Sequence, residues 1–352
     1  MKSFVQPGDG IAPLVKAIDG AKRSVEIVIF RFNLAELETA LTKAARRGVA
    51  VCALIANTNH GGERNLRKLE MRLLAAGVTV ARTADDLVRY HAKYLIIDRR
   101  VLFVLAFNFT RLDAEQSRSF GIVTTHRKTV QEAAKLFDAD MRRQSYEAGL
   151  DSLVVSPANA RQQLAEFIQH ARKQLLIYDP KIADPSMIRL LEERAKAGVE
   201  IKIIGRLTRP SSLLQARKLP RMRFHARTMV RDGRRLFIGS QSLRGMELDK
   251  RREVGLLFQD AKTAKRLIET FQSDWNLIEE ACREGAAEQN TPVDKVAKKV
   301  AKAVTNELPA VASALQVAAP VDTEEVEQSV RRAVKMAVQQ VVREAIAEVR
   351  PK

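Results

Sequence analysis

Apolar positions along the first 282 residues alternate between two spacings. Leu14, Ile18 and Ala21, and again Leu164, Ile168 and Ala171, stand three or four apart and predict amphipathic helices. Each is followed by an apolar run that reads as a strand, Ser24–Phe30 in one case and Gln174–Tyr178 in the other. A second helix then ends at a glycine, Gly48 or Gly198, and gives way to another strand, Val49–Ala56 or Val199–Gly205. Helix and strand in alternation predict an α/β fold with a largely parallel sheet.

The two series are copies of one another. With a shift of 150 residues, Leu41, Ala45, Gly48, Val49 and Val51 fall on Leu191, Ala195, Gly198, Val199 and Ile201. Further along the shift is 134, placing Phe103, Arg118 and Gly121 on Phe237, Arg252 and Gly255. The first half therefore carries 16 extra residues, expected in a loop around Asn57–Arg67. Such self-similarity predicts two homologous domains, 1–147 and 148–282, related by a pseudo-twofold axis, so that equivalent residues can meet between them. Residues 283–352 differ: glycine is rare, alanine and valine dominate, and Val326, Val330, Val334, Ala337, Val341, Ala345 and Val349 mark a last helix. Its mixed charges suit self-association or a partner helix better than insertion into lipid.

Charge sharpens this picture. The chain has 352 residues and a formal net charge of +18. The tail is nearly neutral, and the first 282 residues hold 49 Lys/Arg against 32 Asp/Glu. A surplus placed in the folded body predicts a polyanionic partner, a nucleic acid or an anionic membrane surface. Arginines and lysines are dense around Arg206–Arg223 and Arg234–Arg252, but aromatic residues make up only 5% of the chain, which argues against a base-stacking single-strand binder. No apolar run approaches the roughly 18 residues of a bilayer span. Cys52 and Cys282 are too few for a disulfide framework. A cytoplasmic protein is expected, with peripheral membrane contact open.

The strongest chemical signal lies inside the repeat: His91-x-Lys93-x4-Asp98 and His225-x-Arg227-x4-Asp232. Both histidines open apolar runs, Tyr94–Ile97 and Thr228–Val230, and on a strand residues i and i+2 share a face. An imidazole and a cation projecting together suit a phosphodiester: the cation holds nonbridging oxygens while the imidazole attacks phosphorus or protonates the leaving oxygen. Asp98 and Asp232, followed by Arg99-Arg100 and Gly233-Arg234, are expected to be structural, forming hairpin turns.

These residues resemble the duplicated HxKx4D signature of the phospholipase D superfamily. The likeness covers residues 1–282 and includes Leu105-Ala106-Phe107-Asn108 and Gly239-Ser240-Gln241-Ser242 as counterparts of a trailing Gly-Ser-x-Asn segment. It implies two homologous α-β-α sandwich domains with one site between them, no metal and no cofactor. It also implies a phosphohistidine intermediate, one histidine acting as nucleophile and the other as general acid, then base. Phospholipid head-group hydrolysis or transfer, of the cardiolipin-synthase kind, is the implied activity. A nuclease of the same superfamily and an inactive homologue binding phosphorylated ligands or protein partners are the alternatives.

On this reading His91, His225, Lys93 and Glu253 are the catalytic candidates, and Lys93, Asn108, Arg227, Ser240 and Ser242 hold phosphate. Four departures bear on it: Arg227 for lysine, Ser242 for asparagine, Leu105-Ala106 for Gly-Ser, and Ser119 where Glu253 has its counterpart. A carboxylate on the far ring nitrogen makes a histidine a better base. Glu253, 28 residues after His225, thus points locally to His225 as nucleophile, whereas the superfamily pattern points to His91; the roles stay open. His60-Gly61-Gly62 is a candidate lid or substrate clamp. His126 and His170 read as structural or exposed, and Trp275 as a packing residue on a closing helix.

Overall fold

A computed structural model describes residues 1–57, 63–288 and 336. The first half contains β1 (Lys2–Gln6), α1 (Ala12–Asp19), β2 (Ser24–Ile29), α2 (Ala35–Arg46), β3 (Ala50–Ile55), α3 (Glu63–Ala75), β4 (Thr79–Arg82), β5 (Arg89–Tyr90), β6 (Tyr94–Ile97), β7 (Val101–Leu105), α4 (Arg111–Glu115), β8 (Ser117–Thr124) and α5 (Arg127–Met141). The second contains β9 (Leu153–Ser156), α6 (Ala160–Gln169), β10 (Gln174–Ile182), α7 (Pro185–Lys196), β11 (Glu200–Leu207), β12 (Gln215–Arg217), β13 (Arg223–Phe224), β14 (Thr228–Arg231), β15 (Arg235–Gly239), α8 (Gly245–Asp249), β16 (Arg251–Gln259) and α9 (Ala261–Glu288).

Two eight-stranded sheets result, in the orders β1-β8-β7-β6-β2-β3-β4 and β12-β11-β10-β14-β15-β16-β5, with β13 added to β8 and β9 to β16. Each sheet is mixed, not largely parallel. β2–β3–β4 and β10–β11–β12 are parallel, as the helical crossovers α2, α3 and α7 require, but β6, β7, β8 and their counterparts run antiparallel. The antiparallel part comes from hairpins whose turns carry Asp98 and Asp232, both at positive φ (54° and 51°). Gly48 and Gly198, at φ +84° and +87°, end α2 and α7 in the left-handed conformation that a Cβ disfavours. The 16-residue insertion is not a loop alone: most of it is α3, whose Leu66, Leu69 and Leu73 are buried against the first sheet and α2.

Three large cores organise the body, beside a small cluster of Phe30, Ala56 and Tyr90. One lies under α1, α2 and α3, built on Leu14, Ile18, Leu37, Leu41 and Ile27. A second lies under α6 and α7, built on Leu164, Ile168, Ile188, Leu191 and Ile177. The third is shared, taking Val28, Tyr94 and Ile96 from the first sheet, Leu176, Tyr178 and Val230 from the second, and Val130, Phe137, Phe271 and Trp275 from α5 and α9. Each half is thus an α-β-α sandwich with one face of its sheet in a joint interior, and residues 1–278, both halves together, form one compact unit. Trp275 is buried and stacks on Phe271 at 5.8 Å.

Two ion pairs cross the joint interior at equivalent positions. Arg118 on β8 reaches Asp274 on α9 at 2.7 Å, and Arg252 on β16 reaches Asp140 on α5 at 3.0 Å. Residues 279–352 form a second unit, of which the end of α9 and Met336 are described; the expected helix over Val326–Val349 otherwise lies outside the described residues, as does His60-Gly61-Gly62. No helix among the described residues is long and apolar enough to cross a membrane.

Candidate active site

The two histidine motifs occupy the places where the chain passes from one sheet to the other. β5 pairs with β16 of the second sheet, and three residues later β6 belongs to the first; His91-Ala92-Lys93 is the step between them. His225-Ala226-Arg227 makes the reciprocal step, from β13 on β8 of the first sheet to β14 of the second. The amide of His91 donates to Arg252 O at 2.8 Å and that of His225 to Arg118 O at 3.0 Å. The histidines are therefore not the first residues of strands, as the apolar runs suggested. Each is anchored to the opposite half, which brings the two motifs together.

This exchange decides which carboxylate meets which imidazole. Glu253 on β16 puts Oε1 and Oε2 3.0 and 2.9 Å from Nδ1 of His91, not of His225 as their closeness in sequence suggested. Its counterpart Ser119 on β8 donates its hydroxyl to the backbone oxygen of His225 at 2.7 Å and does not orient that ring. The carboxylate beside His225 is Asp113 on α4, with Oδ2 3.2 Å from Nδ1. Sequence reading missed Asp113, although a signal existed: Asp113 and Glu247 are acidic residues 22 positions after each histidine. Asp113 also accepts from Asn108 N at 2.8 Å, from Asn108 Nδ2 at 2.7 Å and from Arg223 Nη1. In the second half Glu247 accepts from Ser242 N at 2.8 Å, but its charge is taken up by Arg227, Arg244 and Arg251.

Lys93 is almost wholly buried. Its Nζ lies 2.9 Å from both ring nitrogens of His91, donates to His91 O at 2.5 Å, and stands 5.3 Å from the Phe30 ring centroid. The Phe30 ring meets His91 edge-on at 4.4 Å. Arg227 donates from Nε to Ser242 Oγ at 3.2 Å, while its buried Nη1 has no hydrogen-bond partner, nor does Asn108 Oδ1. Buried polar atoms are ordinarily satisfied, and Nδ1 of His225, in the same site, is likewise without a hydrogen-bond partner. Ser240 accepts from Val254 N at 3.1 Å and packs beside Glu253. In the same strand pair Gly239 faces Gly255 so closely that a Cβ would come within 2.6 Å of its Cα; Leu105 replaces that glycine in the first half and crowds Gly121 instead.

Asp98 and Asp232 lie away from this cluster. Each accepts backbone hydrogen bonds from the three residues that lead into β2 or β10: Lys22, Arg23 and Ser24 for Asp98, and Arg172, Lys173 and Gln174 for Asp232.

Burial and crowded cations set the protonation states. Burial, then Lys93 and Arg227, hold His91 well below the usual histidine range. Burial also lowers Lys93 to about 7, partly offset by Glu253. His225 is lowered by burial to about 4, against the support of Asp113. Burial works to raise Asp113, but His225, the Asn108 amide and Arg223 outweigh it and keep this carboxyl strongly ionised. Burial raises Glu253 despite Lys93 and Arg227. Near neutral pH the site thus presents two neutral imidazoles under a field of cations, the arrangement that an anion would complete. Beside Asn108 opens a cavity of about 260 Å³ lined by Arg31, Phe32, Asn33, Asp113 and Arg223 among others. Among the described residues no cluster of three or more His, Cys, Asp or Glu is placed to hold a metal ion.

Comparison with known proteins agrees with this geometry. A family model described as "Cardiolipin synthase, PLD-like domain" matches residues 14–141 and 164–275, once in each half. No curated protein matches the chain in sequence. Among solved structures, the polyphosphate kinase of Porphyromonas gingivalis is similar with a TM-score of 0.65 at 19% identity, over 78% of this chain and 50% of that one. This chain therefore spans about half the length of the kinase. The phosphatidylserine synthase of Haemophilus influenzae Rd KW20 is similar with a TM-score of 0.54 at 12% identity, over 76% of this chain and 83% of the other. Nuc of Salmonella typhimurium, a phospholipase D family member, gives a TM-score of 0.36 at 22% identity, over 41% and 97%. With both halves of the body matched and both motifs gathered at one site, the chain belongs to the phospholipase D superfamily.

Proposed function

We propose that the protein is a metal-independent phosphodiesterase or phosphatidyltransferase that acts on phospholipid head groups through a phosphohistidine. The observation that carries this reading is the reciprocal crossing of His91–Lys93 and His225–Arg227, which sets two imidazoles, each with a carboxylate at Nδ1, beside two buried cations. The lipid substrate class is supported by the family model, described as a cardiolipin synthase domain.

His91 is the nucleophile. Glu253 accepts from Nδ1–H, which leaves the Nε2 lone pair for phosphorus, and Lys93 and Arg227 oppose protonation of this ring. His225 is the general acid, because ionised Asp113 is the group that favours its charged form. The substrate's negative charge offsets the nearby cations and lets His225 take up a proton. As the P–N bond to His91 forms, the P–O bond to the leaving group breaks, and the leaving oxygen takes the His225 proton. Water or an alcohol then gives its proton to neutral His225 and attacks phosphorus, breaking the P–N bond. Lys93, Arg227, Asn108, Ser240 and Ser242 surround the phosphoryl group, and the cavity beside Asn108 receives the leaving or incoming alcohol. Asp98 and Asp232 hold the hairpins in register. Peripheral contact of the basic body with an anionic membrane would bring the site to its substrate.

The test is a substrate panel with wild type, His91→Ala and His225→Ala. Release of head group from phosphatidylglycerol or phosphatidylcholine vesicles, undiminished by chelator and lost in both variants, is expected. Cleavage of DNA or RNA without lipid turnover would replace the lipid by a nucleic acid, and full activity in either variant would overturn the shared site.

A further inference from the structure

The duplication provides an internal control for a feature at the other end of the second sheet. In the first half, the turn between β6 and β7 is charge-compensated: Arg99 donates from Nε to Glu26 at 2.7 Å and from Nη2 to Asp138 at 2.6 Å. The equivalent positions in the second half are Leu176 and Gln272, so both carboxylates are gone, and Arg99 itself is replaced by Gly233. At the same time Ile97 and Val101 are replaced by Arg231 and Arg235, while Arg100 and Lys22 keep their charge as Arg234 and Arg172. The result is a cavity of about 350 Å³ lined by His170, Arg172, Arg231, Asp232, Arg234, Arg235 and Gln259.

Among the described residues, one carboxylate faces these four arginines. The one carboxylate in the lining, Asp232, is engaged by the backbone amides of Arg172, Lys173 and Gln174. The side chains of Arg172, Arg234 and Arg235 form no ion pair among the described residues, and Arg231 is fixed differently: Nη1 donates to Phe167 O at 2.9 Å and its guanidinium lies 4.8 Å from the Phe167 ring centroid. Burial and the neighbouring Arg235 and Arg234 disfavour the charge of Arg231, and Asp232 offsets them only in part. An adjoining cavity of about 310 Å³ shares His170, Arg231 and Arg235; its one carboxylate, Glu166, accepts from Gln162 at 3.0 Å.

We propose that this cavity is a second anion site, separate from the histidine pair, that binds a ligand carrying clustered phosphate groups. Four guanidiniums around one concavity match several phosphate oxygens at once, since each presents a planar fork of donors. A single carboxylate would leave most of those donors unused. The cavity is also remote from the chemistry: β14 separates Arg227 at the active site from Arg231 here, and four strand residues span about 13 Å. Its occupant is therefore bound without being cleaved there, and it grips the turn that leads back along β14 to the His225 segment.

The shared chemistry has two sources, a soluble oligophosphate or phosphomonoester head groups clustered on a lipid surface, and two probes distinguish them. Inorganic tripolyphosphate is titrated calorimetrically into the full chain at 0.15 M salt, where nonspecific attraction between exposed charges is screened beyond about 8 Å. Sedimentation with phosphatidylcholine vesicles, with and without phosphatidate, is run in parallel. Saturable binding of either probe is expected, weakened about tenfold or more by Arg234→Glu/Arg235→Glu and by Arg172→Glu, and changed less than about twofold by Arg100→Glu at the first-half turn. Arg227→Ala, at the active site, is expected to leave it intact. Unchanged melting temperatures show that the exposed-arginine variants are folded. Absence of saturable binding by both probes, binding that survives the Arg234/Arg235 change, or equal weakening by Arg100→Glu would overturn the proposal. Its failure would leave the histidine site untouched, because the substrate panel reads that separately.

Discussion

Glu253→Gln isolates the contact on which the division of roles rests. The substitution keeps volume in a wholly buried place and removes one charge that faces two partners, Nδ1 of His91 at 2.9 Å and the ammonium of Lys93. A buried hydrogen bond to a charged group contributes about 1.5–3 kcal/mol, which alone is roughly a tenfold to hundredfold effect. A glutamine amide can also present its NH2 to the ring and favour the wrong tautomer, a fault that costs on the order of 10⁴ in serine-protease triads. The expected fall in kcat is therefore about 10² to 10⁴. A second effect separates this from mere disturbance. Lys93 has a pKa of about 7, and Glu253 is the foremost group opposing the fall. Without that charge the ammonium is lost at lower pH, so the alkaline limb of kcat/KM moves from near 7 to more acidic values. The assay is hydrolysis of bis(p-nitrophenyl) phosphate by wild type and variant between pH 5 and 9. A kcat within about threefold of wild type, with an unmoved alkaline limb, would refute the reasoning.

Other outcomes follow from the same geometry. Asp113→Asn removes the charge that favours protonated His225, so its pKa, followed by NMR titration of the imidazole, is expected to fall below the wild-type value of about 4; an unchanged or raised value would contradict the role of Asp113. A histidine at about 4 in the native state and 6.5 unfolded binds fewer protons when folded, so stability falls as pH drops from about 6.5 to 4. The share from buried His225 is about 3 kcal/mol, and urea unfolding of His225→Gln is expected to lose that part of the pH dependence. Asp274→Ala leaves Arg118 and Tyr178 without the buried carboxylate that binds them at 2.7 Å, and is expected to destabilise the body by about 3–5 kcal/mol in chemical unfolding. Arg227→Lys keeps a cation at the phosphoryl position and is expected to preserve or raise turnover of the chromogenic diester, whereas Arg227→Ala lowers it.

The repeat was legible because hydrophobic period and glycine stops survive in both copies, and the α/β class and superfamily followed from it. Strand direction was less legible: Asp98 and Asp232 marked hairpin turns, but the alternation of helix and strand ahead of them suggested a largely parallel sheet, whereas the hairpins make much of each sheet antiparallel. Helix α3 hid in what read as a loop, since Asn57, Asn59 and two glycines precede its first turn. The pairing of Glu253 with His91 could not be seen, because it depends on two-residue strands, Arg89–Tyr90 and Arg223–Phe224, that join the opposite sheet. Locality along the chain favoured His225; the exchange of strands reversed it. Asp113 escaped notice because a lone aspartate four residues after the Phe-Asn-Phe segment's asparagine-phenylalanine pair looks like an N-terminal helix residue, which on α4 it also is.

Trapping the covalent intermediate tests the central claim most directly. The full chain is mixed with a radiolabelled phosphatidyl substrate, quenched in base to preserve phosphoramidates, digested and sequenced by mass spectrometry. Label on the His91 peptide, abolished by His91→Ala and accumulating in His225→Ala with a good leaving group, is the predicted result. Turnover with no labelled histidine, or label that persists in His91→Ala, would contradict it.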